Sequence, residues 1–322
     1  MIKRLIWLVL TTVCLFSAFV GSVDLHVNNI FHANALDAKI FFDLRLPRVF
    51  FTFFAGTVLA ISGLLFQTLF RNALMTPYTL GISSGAVLGA GIAIKLSLGT
   101  LLFGFAAISV FGFLGALFTV FLLLYLARFL RQSHAESLLL LGIALSLFYS
   151  AVLMVIFYLG NSVQNDMLIR FTMGSLSIIG WQYPLIISFA AVILFAVVYM
   201  YRFELQLLSV SQEQARLKGV DTKKITIILL VVASFAIGIL VSISGPIGFI
   251  GLIVPHIVHK LYPVNISKRI IKTTLFGGLF LVLCDTISRT LQTQSELPIG
   301  IITAIIGGPF FIYLIISQAK KG

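Results

Sequence analysis

Between Pro47 and Phe70 the chain carries one charged residue, Arg48, and the rest is apolar, small or uncharged. A helix that crosses a bilayer needs roughly 20 mostly apolar residues, so this run is long enough to span. Runs of the same kind recur along the chain, from Leu5–Val23 at the start to 298–317 near the end. Any fold available to such a sequence has to place these runs in hydrocarbon.

Composition agrees. Of 322 residues, 60% are hydrophobic and 10% charged, whereas soluble domains average about a quarter charged. With short loops the length allows about ten spans. A net charge of +12 would suggest nucleic acid in a soluble protein. In a membrane protein the same excess comes from Lys and Arg kept in cytoplasmic loops, and no nucleic-acid partner is expected.

The first run, preceded by Lys3-Arg4, has the look of a signal peptide. No convincing small-x-small cleavage site follows it and the run is long enough to span, so it is read as the first helix, entering from the cytoplasm. Its removal would leave nine spans instead of ten. Residues 24–46 are polar enough to form an external segment. Helix 2 is expected over 47–70, with proline in its first turn, and helix 3 opens at Gly81 with Gly85 and Gly89 at four-residue spacing. Small residues so spaced let helix backbones approach closely in lipid.

Helices 4 and 5 are expected over 101–127 and 137–159, an external stretch with a short surface helix over 161–182, and helices 6 and 7 over 183–203 and 225–243. The Gly- and Pro-rich stretch 244–256 predicts a broken span, tolerated where protein re-satisfies the backbone. An internal loop over 260–272 and helices 9 and 10 over 273–290 and 298–317 complete the chain. In this topology sixteen of the 22 Lys and Arg residues fall on the inside. That bias sets the orientation: ten helices, both termini cytoplasmic, one transmembrane domain over 1–322.

Catalytic constellations are missing from the sequence, as are nucleotide loops. Cys14 and Cys284 lie in apolar runs without metal-ligand spacing, and His256 and His259 are joined by no Glu or Cys. No metal, cofactor or enzymatic chemistry is expected. Asp285 and Arg289, four apart on one helix, are placed to pair. A proton-driven carrier would call for deeper carboxylates, which leaves transport powered from elsewhere.

Several stretches carry a resemblance. Arg45-Leu46-Pro47-Arg48, Phe70-Arg71-Asn72-Ala73-Leu74 through Gly81-Ile82-Ser83-Ser84-Gly85-Ala86, Gly245-Pro246-Ile247-Gly248-Phe249-Ile250-Gly251 through His256, and Glu296-Leu297-Pro298-Ile299-Gly300 occur in this order. They resemble the FecCD family, permeases of type II ABC importers for iron-siderophores, haem and cobalamin. Ala73 departs from the proline usual there. The resemblance implies an all-α polytopic permease of about ten helices that pairs with a second permease subunit, identical or similar. It further implies two cytoplasmic ATP-binding subunits, an extracytoplasmic substrate-binding protein and a place in the bacterial inner membrane. Ferric siderophore is the expected cargo, with haem and cobalamin as alternatives.

Two sites follow from the resemblance. Arg45, Arg48 and Arg289 match external arginines that grip acidic side chains of the binding protein, where exposed guanidiniums form forked bonds to carboxylates. The polar interruption at about 204–224 contains Glu213-Gln214-Ala215-x-x-x-Gly219, similar to the Glu-Ala-Ala-x-x-x-Gly loop that couples permeases to ATPases. Gln214 departs from that pattern, acceptably if it faces solvent. Two short helices with a glycine turn are expected there, since glycine adopts positive φ at little cost. Residues 129–136 are expected to act as an inner gate.

Overall fold

The computed structural model describes residues 2–21, 36–98, 101–102, 105–129, 135–262, 265–291 and 296–319. Residues 24–35 of the expected external segment and 130–134 of the expected gate lie outside the described residues. The helices are α1 Ile2–Phe16, α2 Leu46–Phe70, α3 Ile82–Lys95, α4 Ala107–Leu126, α5 Ala135–Leu159, α6 Ser162–Met173 and α7 Gln182–Met200. They continue with α8 Arg202–Val210, α9 Gln212–Leu217, α10 Thr222–Ser244, α11 Ile250–Leu261, α12 Ile266–Thr290 and α13 Ile299–Ala319. A two-residue antiparallel pair, Leu101–Leu102 with Phe105–Ala106, precedes α4.

Seven segments among the described residues are long and apolar enough to cross a membrane, and α3 and α11 are shorter apolar helices. With α1 these occupy the expected places of ten helices, and the protein is an all-α polytopic membrane protein. Helix α2 is central. The apolar stretch that contains it is 83% buried by the rest of the chain, against 11% for α5 at the periphery. It packs on α7, α10, α11 and, most extensively, α12.

Close backbone approach explains these pairings. A Cβ on Gly56 would lie 2.3 Å from the Gly277 carbonyl oxygen of α12. One on Gly63 would lie 1.8 Å from that of Gly251 on α11, so no side chain fits at either crossing. The spacing of Gly85 and Gly89 does the same for α3, which lies against Gly115 and Phe111 of α4. In lipid, where apolar side chains gain little by leaving the acyl chains, such contacts hold helices together through dispersion.

Three expectations change. Residues 36–46 are helical: Leu36–Lys39 and a π-helical turn, Ile40–Arg45, run directly into α2. Phe41 packs against Phe19 and meets Phe42 edge-on, so the segment packs although it reads as hydrophilic. The basic residues Lys268, Arg269 and Lys272, placed in a loop, lie on the first turns of α12. Asn265 starts that helix early, accepting a hydrogen bond from the Lys268 amide at 3.2 Å. Helix α4 begins at Ala107, later than expected.

The broken span is present. Residues 245–248 are not helical, Gly245 and Phe249 have φ of 69° and 66°, and α11 carries Pro255 in its interior. Proline has no N–H, so the carbonyl four residues back loses its helical donor. That carbonyl belongs to Gly251. It accepts instead from the side-chain amide of Gln67 on α2, at 3.2 Å.

Candidate functional site

Polar side chains concentrate at the two ends of α7. Trp181, at its start, donates to the Phe42 carbonyl, and the Gly180 amide donates to that of Asp43. Its other end passes directly into α8 and α9. With 19 residues in α7, a rise of 1.5 Å each separates the ends by about 28 Å.

At the first end Arg48 opens into the bundle from the first turn of α2. Its Nη2 donates to Asp285 at 2.8 Å, Nε donates to both Asp285 oxygens at 3.2 Å, and Nη1 donates to Glu296 at 2.7 and 2.8 Å. Asp285 also forms the ion pair with Arg289 that the four-residue spacing anticipates, at 3.1 Å. Two guanidiniums from different helices therefore share one buried carboxylate. Arg289 donates further to the Ser17 hydroxyl at 2.7 Å and the Val20 carbonyl at 3.0 Å, and Arg45 donates to the Phe19 carbonyl at 2.8 Å. These acceptors lie just past the end of α1, so Arg45 and Arg289 fasten that helix to the cluster.

Arg45, Arg48 and Arg289 are 7%, 8% and 4% exposed. They are brought together as buried groups engaged by this chain's own oxygens, where exposed guanidiniums were expected. Burying a charge in a medium of low dielectric demands a counter-charge. Asp285 and Glu296 supply it.

Glu296 is the exposed member. It accepts from the Ser177 hydroxyl at 2.9 Å as well as from Arg48. Partial burial works against its charge, but Arg48 and the two hydrogen bonds outweigh this and hold its carboxyl below the usual value. Sequence reasoning placed Glu296 only within a motif and missed its partnership with Arg48, although an arginine entering an apolar helix signals that a carboxylate must meet it.

At the opposite end α8 and α9 form the elbow, and the two short helices are as expected. Leu205 and Leu208 anchor α8, at 2% and 1% exposure, and Gln206 accepts from the Ile266 amide that opens α12. Ser211 caps α9, its hydroxyl accepting from the Glu213 amide at 3.2 Å. Ala215 is fully buried, whereas Glu213, Gln214 and Gly219 are exposed, so the glutamine departure does face solvent. Helix α9 ends with the Val220 amide on the Ala215 carbonyl and the Gly219 amide on that of Arg216, with Gly219 at φ 81°. This is the Schellman arrangement, whose left-handed position suits glycine. Leu217, 83% exposed, projects beside the turn.

Among the described residues no group of three or more His, Cys, Asp or Glu is placed to hold a metal ion. The site holds charge and fixes helix ends.

The sequence profile of the FecCD transport family matches residues 8–317. The hemin transport system permease protein HmuU of Yersinia pestis is 33% identical over 98% of this chain and 95% of its own length. The probable iron chelatin transport system permease protein of Helicobacter pylori is 34% identical, covering 91% of this chain and 88% of its own. A solved inward-facing ABC transporter assigned to the metal-chelate type superposes with a TM-score of 0.84 at 27% identity, over 96% of this chain and 97% of that one. With a helical bundle of matching architecture and a family match along almost its whole length, the chain is a multi-pass permease that belongs to the FecCD transport family.

Proposed function

We propose that this permease is the membrane subunit of an ATP-driven, binding-protein-dependent importer that carries a ferric siderophore across the bacterial inner membrane. It works beside a second permease subunit, identical or similar, with the elbow and both termini on the cytoplasmic side. Two ATP-binding subunits grip α8 and α9 through the exposed Glu213 and Gly219, while the buried Ala215 seats α9 against the rest of the chain. An extracytoplasmic binding protein delivers cargo at the end marked by Arg45, Arg48 and Arg289.

The observation that carries this reading is the elbow itself. It is a capped, glycine-ended knob, rigidly seated on the start of α12, that leaves Leu217 and Glu213 in solvent. The two helices flanking the elbow, α7 and α10, pack on α2, so force applied there reaches the bundle core. Siderophore is favoured by relatives named for iron chelatin transport, and the hemin relative supports haem as the second cargo.

The test is uptake of radio-iron-labelled hydroxamate siderophore into proteoliposomes holding the permease and its co-isolated partners. Uptake that needs ATP and survives an ionophore supports the reading. Uptake that ignores ATP and collapses with the ion gradient identifies a secondary carrier instead.

A further inference from the structure

The two carboxylates on Arg48 are not equivalent. Asp285 is 1% exposed at its side chain, lies inside α12, and is shared with Arg289. Glu296 is 39% exposed at its side chain and precedes α13, while the Arg48 side chain beneath it is only 10% exposed. Glu296 therefore covers one face of the guanidinium, Nη1, without being built into a helix.

We infer that Glu296 is an internal placeholder, occupying on Arg48 the position that a carboxylate of an acidic partner protein takes on docking. The inference rests on the docking role proposed above for these arginines and adds what docking displaces. A carboxylate arriving at Nη1 restores the same charge and the same pair of hydrogen bonds, so exchange leaves the buried Arg48–Asp285–Arg289 core intact. Only Glu296 changes partners.

Release of Glu296 has a defined local consequence. The residue joins the start of α13 to Ser177, in the segment between α6 and α7. In that same segment the Ser175 amide donates to the Ser244 carbonyl, at the end of α10, at 2.7 Å. Helix α10 is a single 23-residue rod whose other end follows the elbow. Docking thus loosens the tie between α13 and a segment bonded directly to the helix that leads back to α9.

The experiment uses the complete permease complex in nanodiscs and the soluble binding protein co-isolated with it, with affinity measured at low and high salt. Arg48→Gln is expected to weaken binding, and Glu296→Gln to tighten it by about tenfold, the worth of one charged hydrogen-bonding competitor. Ser177→Ala, which removes only a support of Glu296, is expected to tighten binding by a smaller factor and serves should Glu296→Gln assemble poorly. If Arg48→Gln and Arg289→Gln bind as the natural protein does, the docking role itself is wrong. If Arg48→Gln weakens binding while Glu296→Gln and Ser177→Ala leave it unchanged or weaken it, docking stands and the placeholder is overturned.

Discussion

Gln67 donates its side-chain amide to the Gly251 carbonyl, the acceptor that Pro255 strips of its helical partner. The broken span and the central helix are thereby joined through Gln67, which also reaches the Leu252 carbonyl at 3.5 Å, at the crossing where Gly63 meets Gly251.

Replacing Gln67 with Leu leaves that carbonyl without its side-chain donor at the helix crossing, at a cost of about 1 kcal/mol or more. Thermal unfolding in detergent is expected to show the loss. Pro255→Ala, by returning a backbone N–H to the helix, is expected to recover part of it in the double variant. Full additivity of the two changes would sink this account.

The crossing also predicts an asymmetry among glycines. A Cβ at Gly63 meets backbone at 1.8 Å, whereas one at Gly248 meets nothing within 4 Å. Gly63→Ala is expected to abolish accumulation of folded protein, and Gly248→Ala to leave it near normal. Size-exclusion profiles of tagged protein would read both.

Around Arg48 the two carboxylates should separate cleanly. Asp285→Asn leaves a buried guanidinium short of its counter-charge and is expected to cost about 3–5 kcal/mol. Glu296→Gln, at a half-exposed site screened by solvent, is expected to cost no more than about 1 kcal/mol. Equal losses on denaturant titration would contradict the difference in burial.

Acid should act on the same pair. Because the Glu296 carboxyl titrates below its unfolded value, its stabilising contribution is complete above about pH 4.3. It fades as pH falls through the lower folded value. Glu296→Gln has no such proton to take up, so its stability is expected to decline less steeply on that acid limb. Parallel slopes for the two proteins would count against the Arg48 and Ser177 contacts as the cause.

Gly219 isolates backbone strain from crowding, since its φ is 81° and a side chain there would project into open space. Gly219→Val is expected to cost about 1–2 kcal/mol locally and to reduce stimulation of the partner ATPase. Gly219→Asn, which tolerates the left-handed region, is expected to retain most of it. Normal coupling in the valine variant would remove the elbow from the mechanism proposed for it.

The apolar runs were enough to place the long helices, because segments of that length have one low-energy form in hydrocarbon. Gly219 announced the elbow, since a turn residue acts on its own neighbours. The Gly and Pro of 244–256 likewise announced a break, and Asp285 with Arg289 a helix-face pair. Each of these is a local relationship, readable from spacing.

Relationships between distant residues were decided by the tertiary structure. Arg48 and Glu296 lie 248 positions apart, and nothing near either one names the other. Residues 36–46 read as a polar external segment from their charges alone, and only the fold shows Phe19 and the end of α1 receiving Phe41 and Arg45. Burial is a property of the assembled bundle: it turned three arginines expected at the surface into covered, engaged groups, and left Glu296 as the exposed partner among them.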